Sequence, residues 1–260
     1  MQQETQGNFI SSWYNKVKPN IKQARKIFTY SYYKEGFSGW TKPSRYLWII
    51  GILIQLYIGL GSGISELALT STIAGIIGFT TTVAITNGKT INGLTGAISA
   101  VMLIYVATRT GNISDALMQI GYIFLLDLPI IFSVNWGDFV PRQSTGKDWI
   151  GFLIIFLVFF ALLFSLDTFL HSPQAFLDAF SAAIGFTGAV LCVRRFSAQY
   201  YFWLFQGLFS VALWIQTAMN GHAVWVLMVT YMLYLSNDLV AFIASPWFGK
   251  RAKKLEEKIK

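Results

Sequence analysis

Apolar positions dominate this chain in long runs, and its polar positions collect between them. Eight such runs lie at approximately 46–61, 67–86, 91–108, 116–134, 149–166, 175–193, 200–219 and 223–244. Runs of this length reach across the ~30 Å hydrocarbon layer as helices. The short alternating strands of an outer-membrane barrel are absent from the pattern. The reading is an all-α, polytopic membrane protein with eight transmembrane helices. The first run is the shortest, at about 16 residues, and would cross with help from tilt or from flanking Trp48 and Tyr57.

Composition agrees with that reading and narrows it. Hydrophobic residues make up 54% of the 260 and charged residues 12%, against about 25% charged in soluble domains. The single cysteine, Cys192, lies in an apolar run, which excludes an intrachain disulfide and a cysteine-based metal site. The net charge of +8 raises the question of nucleic acid, but its distribution answers it. Of the 20 Lys and Arg, all but Arg109 fall in segments on one side of the eight spans. The positive-inside rule therefore puts both termini in the cytoplasm. The charge sets topology, and no nucleic-acid partner is expected. Residues 1–45 read as a basic amphipathic arm, with Trp13, Tyr14, Phe28, Tyr30, Tyr32, Tyr33, Phe37 and Trp40 between the cations, resting on anionic lipid. Residues 46–245 form the membrane domain, and 246–260 a second basic cytoplasmic tail.

An internal repeat divides the membrane domain. Residues 66–134 run through Glu66, Ile73-Ala74-Gly75, Gly78-Phe79-Thr80, Lys89, Asn92-Gly93-Leu94, Gly111-Asn112, and Tyr122 leading to Asp127. Residues 175–244 repeat the order: Asp178, Ala183-Ile184-Gly185-Phe186-Thr187, Arg194-Arg195, Gln206-Gly207-Leu208, Asn220-Gly221, then Tyr231 or Tyr234 leading to Asp238. Both halves start outside and end inside, so the run at 149–166 is the linker that parallel three-span repeats require. The plan is one extra span followed by 3 + 1 + 3. Parallel repeats are a known transporter architecture, with substrate held between the halves near mid-membrane.

Polar residues inside the runs mark where chemistry could sit, since each costs ~2.5–3.5 kcal/mol or more to insert if charged. Asp127 and Asp238 occupy matching places with no Lys or Arg inside any span. They are protonated, hydrogen-bonded by Tyr, Asn and Gln, or facing a cation path; a buried cap beside Pro129 is the structural alternative for Asp127. Trp203 and Gln206, three apart, share a helix face and offer a stacking surface and an amide for a heterocycle or ribose. Asn92 stands where the repeat places Gln206. Tyr231, Tyr234 and Asn237 complete the candidate set.

Other motifs fail. Gly88-Lys89-Thr90 resembles the end of a phosphate-binding loop, but Val83 stands where its leading glycine belongs. Only His171 and His222 are present, both in outer loops, so no metal site is expected. No His–acid pair is placed to activate a serine at depth. No catalytic residue and no cofactor are expected, and an intramembrane enzyme or a purely receptor-like protein is disfavoured.

The 3 + 1 + 3 plan, the Asp178-to-Gly185 run, Arg194-Arg195 followed by aromatics ending in Trp203, and the Ser236-Asn237-Asp238 ending resemble the PnuC vitamin transporters. The resemblance covers about residues 64–245. It implies a SWEET-like fold, a homotrimer in the bacterial inner membrane, and facilitated diffusion of nicotinamide riboside trapped by cytosolic phosphorylation. It also implies that substrate lies against a tryptophan and amide-bearing helices, which Trp203 and Gln206 match. Departures are Gly207, where the family often has asparagine, and the Leu128–Trp136 segment in place of a Tyr-Gly-Trp motif. These leave open relatives' substrates (thiamine, riboflavin, deoxynucleosides) and a proton-coupled symport through Asp127 and Asp238.

Overall fold

The computed structural model describes residues 21–61, 64–132 and 141–248. The first twenty residues of the arm, the loop 133–140 and the tail from 249 onward lie outside the described residues. Nine helices organise the described part. They are α1 (Tyr30–Phe37), α2 (Lys42–Gly61), α3 (Glu66–Thr86), α4 (Ile91–Thr110), α5 (Ile113–Phe132), α6 (Gly146–Phe169), α7 (Ala175–Val193), α8 (Gln199–Met219) and α9 (Trp225–Ala244). Helices α2 to α9 are the eight spans, each long and apolar enough to cross a membrane.

The first span is longer than its apolar run. Thr41 caps α2 by accepting from the Ser44 amide at 3.3 Å, and Pro43 is tolerated because first-turn amides need no helical partner. The resulting 20 residues extend about 30 Å, enough to cross. At α6, Thr145 and Asp148 form a reciprocal capping box, which starts the most apolar span.

Packing shows how the halves meet. Helices α3, α4, α5, α7, α8 and α9 form a ring in that order, each against its two ring neighbours. The first helix of each repeat thus packs on the last helix of the other. Outside the ring, α2 packs on α3 and α9, while α6 packs on α7 and α5. The extra span and the linker are therefore equivalent: a two-fold relation takes α2–α5 onto α6–α9. Helix α2 is fastened by Gln55, fully buried, whose Oε1 accepts from Thr230 of α9 at 2.9 Å.

Part of the arm packs on protein rather than lipid. Tyr32 of α1 donates to the Thr90 carbonyl at 3.0 Å, and the Thr41 amide donates to Asn87 at 2.9 Å. Trp40, buried, lies edge-on to Trp48 of α2 at 5.4 Å. Burial against this loop pushes the Tyr32 phenol above its ordinary pKa. The arm so ties itself to the α3–α4 connection on the basic face.

A cavity at the seam of two repeats

The ring encloses a cavity of about 90 Å³. That is below the usual range for small-molecule sites, ~300–1,000 Å³, so the chamber is nearly shut in this conformation. Five ring helices supply the wall, and their contributions follow the two-fold.

Helix α9 is regular, so Tyr231, Tyr234 and Asp238 fall on one face at spacings of three and four; all three line the cavity. Helix α5 presents Gln119, Tyr122 and Asp127 in the corresponding places. There the last spacing is five, which in an α-helix would turn Asp127 about 140° away from Tyr122. Residues Ile123–Asp127 instead form a π segment, and its wider turn absorbs the extra residue. Pro129 favours the break, because it has no amide to continue the ladder. The π segment thus restores Asp127 to the face its counterpart holds without distortion.

Two glycines confirm the register. A Cβ on Gly78 would lie 2.3 Å from the Tyr234 hydroxyl, and one on Gly185 would lie 2.7 Å from the Tyr122 hydroxyl. Each tyrosine therefore crosses onto a bare strip of the other repeat's first helix. On Gly185 the Tyr122 hydroxyl is joined by Met118 and Gln206. Tyr122 donates to Gln206 Oε1 at 3.2 Å, and Gln206 Nε2 points to the Met118 sulfur at 3.3 Å. This group screens α7, which is why α3 lines the cavity through Gly78, Thr81, Thr82 and Ile85 while α7 does not.

Of the eight residues expected from sequence, Trp203, Gln206, Asp127, Tyr231, Tyr234 and Asp238 come together around the cavity. Asn92 and Asn237 stand outside its lining. Asn92 sits in the first turn of α4 and turns back to the Lys89 carbonyl. Asn237 reaches across to α3, donating to Thr86 Oγ1 at 2.8 Å and to the Thr82 carbonyl at 3.3 Å.

The displacement of Asn92 has a simple cause. Ser99 of α4 donates to Ala74 of α3 at 2.9 Å, and Ser210 of α8 pairs with Ser181 of α7 at 2.6 Å. Matching those two contacts sets Thr95 against Gln206, Gly96 against Gly207, and Asn92 against Trp203. The expected pairing of Asn92 with Gln206 is off by about one helical turn, because both helices carry an amide followed by Gly-Leu. Sequence reasoning also passed over Gln119, Ser99 and Thr81. Gln119 was detectable: it precedes Tyr122 by three, as Tyr231 precedes Tyr234.

The wall carries two carboxylates, two amides, three phenols and an indole, with no Lys, Arg or His. Asp127 is buried, and its Oδ2 has no hydrogen-bond partner. Trp203 stands edge-on to Tyr200 at 5.8 Å at the end nearer the basic loops. Beyond it, that end is filled by the fully buried Tyr200 and Trp247. Tyr200 meets Thr86 at 3.3 Å, and the Trp247 indole donates to the Ile85 carbonyl at 2.9 Å. The opposite end is closed by Leu213, Trp214, Val224 and Leu227, all buried. Above them Asn112 and Gln174 both donate to Thr217. Aromatic packing closes one end, and amides over an apolar plug close the other.

Such a chamber, lined for recognition and holding no nucleophile–base pair, suits passage of a solute. Among the described residues no group of His, Cys, Asp and Glu is placed to hold a metal ion. Comparison with known proteins agrees. The sequence pattern described as "Nicotinamide mononucleotide transporter" matches residues 68–248. The nicotinamide riboside transporter PnuC of Haemophilus influenzae is 25% identical over 219 residues, covering 80% of this chain and 92% of the relative. The crystal structure of the vitamin B3 transporter PnuC superposes with a TM-score of 0.70 at 18% identity, covering 89% of this chain and 100% of the other. With its eight spans, its two-fold chamber and a family match over most of its length, this chain belongs to the nicotinamide mononucleotide (PnuC) transporter family and is a multi-pass membrane transporter of a small molecule, not an enzyme.

Proposed function

We propose that the chain mediates facilitated diffusion of nicotinamide riboside into the cytoplasm, where phosphorylation traps it. The observation that carries this reading is the make-up of the chamber wall: Asp127 and Asp238, with no Lys, Arg or His among the lining residues. A pyridinium ring brings its own positive charge and gains from nearby carboxylates. A mononucleotide brings a phosphate, which calls for Arg or Lys. The chamber therefore favours the riboside named for the Haemophilus influenzae relative over the mononucleotide named for the family. Trp203 is the stacking surface for the ring. Gln206, held by Tyr122, and the phenols of Tyr231 and Tyr234 serve the ribose and carboxamide, while Asn92 holds the start of α4 and Asn237 ties α9 to the end of α3.

The basic loops face the cytoplasm of a bacterial inner membrane in this proposal, with both termini on that side and three copies assembled as a trimer. Uptake of labelled nicotinamide riboside into proteoliposomes tests the reading. It should proceed down the substrate gradient, be unaffected by protonophore, and be competed poorly by the mononucleotide. Absence of uptake refutes it. Collapse of uptake on dissipating the proton gradient would move the mechanism to symport through the two aspartates.

A further inference from the structure

Helices α6 and α8 both pack on α7 but leave a slot between them on the outer surface of the second repeat. Trp149, Leu153, Phe156, Tyr201, Phe202 and Phe205 line it, and its wall is wholly apolar. Leu153 and Phe205 are 55% and 59% exposed there. The wall is firm: Trp149 stacks on Phe202 at 6.0 Å, and behind them the buried Phe152 lies edge-on to Phe196 at 5.2 Å. From Trp149 to Phe156 the slot descends about 10 Å along α6, well within one ~15 Å leaflet.

Its mouth is basic. The Arg142 guanidinium lies over the Phe196 ring, 4.4 Å from the centroid. Backbone hydrogen bonds anchor that loop: the Arg142 amide donates to the Arg195 carbonyl at 2.7 Å, and the Ser197 amide donates to Arg142 at 3.1 Å. Lys147 is exposed in the first turn of α6, two residues before Trp149. The nearest acid in sequence, Asp148, is engaged in its capping box with Thr145. Trp149 and Tyr201 sit where aromatic side chains meet lipid headgroups.

The first repeat shows what this place requires. The same matching of α4 with α8 sets Ile91 against Phe202. Ile91 is covered by α1, whose Gly36 approaches so closely that a Cβ there would lie 2.7 Å from it. Ile91 is 1% exposed. The chain's own arm thus fills, on one repeat, the position that stands open on the other.

We infer that the slot between α6 and α8 is a binding site for an anionic glycerophospholipid of the leaflet on the basic side. One acyl chain lies along Leu153, Phe156 and Phe205, and the phosphate meets Arg142 and Lys147. A dry slot with a cationic mouth complements a lipid with a negative headgroup. Each juxtamembrane cation contributes ~1 kcal/mol to such attraction.

Native mass spectrometry of the full chain released from bilayers of equal phosphatidylglycerol and phosphatidylcholine tests this. The wild type should retain phosphatidylglycerol in preference. The double variant R142Q/K147Q, altered only at the surface, should lose that preference while still retaining lipid. L153W, which fills the slot, should retain less of either lipid. Unchanged retention in both variants overturns the proposal. So does a change of oligomeric mass in L153W without a change of bound lipid, which would assign the slot to a second copy. A melting temperature for L153W in lipid-free detergent equal to that of wild type separates lost binding from lost folding.

Discussion

Tyr122 donates its phenolic hydrogen to Gln206 at 3.2 Å, joining the last helix of the first repeat to the middle helix of the second across the chamber wall. Gln206 cannot turn without breaking that bond, so its amide is presented to the cavity in one orientation. The bond lies at the seam that alternating access must open and close. Tyr122 thereby both orients Gln206 and joins the repeats.

Tyr122→Phe removes the hydroxyl and keeps the ring. A net hydrogen bond is worth ~0.5–1.5 kcal/mol, so half-saturation for uptake should rise by roughly 2- to 13-fold, with unchanged surface expression. A direct uptake assay in cells lacking other routes measures this. An unaltered half-saturation would show that Gln206 is oriented by something else.

Charge at the two aspartates makes a sharper test. Asp127→Asn and Asp238→Asn keep the volume and remove the ionisable carboxyl that a cationic ligand would pair with. Interactions with charged groups are worth ~1.5–3 kcal/mol, so each variant should weaken the cationic riboside by about 10- to 150-fold. Binding of an uncharged nucleoside, followed by ligand-induced thermal stabilisation, should fall much less. Equal loss for both ligands would mean that the carboxylates act through structure rather than charge.

The π segment yields a prediction unusual for a membrane helix. Deleting Leu125 leaves three residues between Tyr122 and the aspartate, the spacing that Tyr234 and Asp238 have in α9. Helix α5 should close into a regular α-helix, and the protein should still assemble. Deleting Leu235 from α9 instead has no π turn to absorb it and should abolish the folded transporter. Size-exclusion profiles of the two deletions, compared side by side, decide the matter.

At the end away from the basic loops, Thr217 accepts from both Asn112 and Gln174. Thr217→Val preserves shape and takes one acceptor from each of two buried amides, leaving Asn112 its bond to Thr110 and Gln174 its bond to Asn112. Leaving buried donors unsatisfied costs ~1–3 kcal/mol, which should appear as a lower melting temperature. Thr217→Ser should restore it. If Thr217→Val melts like the wild type, those amides have found other partners.

Much of this architecture was legible along the chain. Apolar runs gave eight spans to within a few residues, because the membrane demands a length that composition alone can meet. The repeat was visible as well, since both halves answer to the same packing. Its register in α4 was not: the Gly-Leu pairs after Asn92 and Gln206 look alike in one dimension. Only the bonds from Ser99 to Ala74 and between Ser210 and Ser181 show which turns correspond. Similarly, Glu66 and Asp178 both open their repeats in sequence, yet Asp178 caps α5 by accepting from the Ser114 and Asp115 amides at 2.9 and 2.8 Å.

The sequence by itself determined the number of spans, the placement of the basic loops and six residues of the chamber wall. These depend on local hydropathy, on charge and on spacing within one helix. The tertiary structure decided that the extra span and the linker are counterparts, that Asn92 holds the start of α4 while Asn237 ties α9 to α3, and that Gln119 and Tyr122 belong to the chamber. Those outcomes depend on which helices become neighbours and on a π turn that rotates half of α5, and neither is encoded in the period of a single helix.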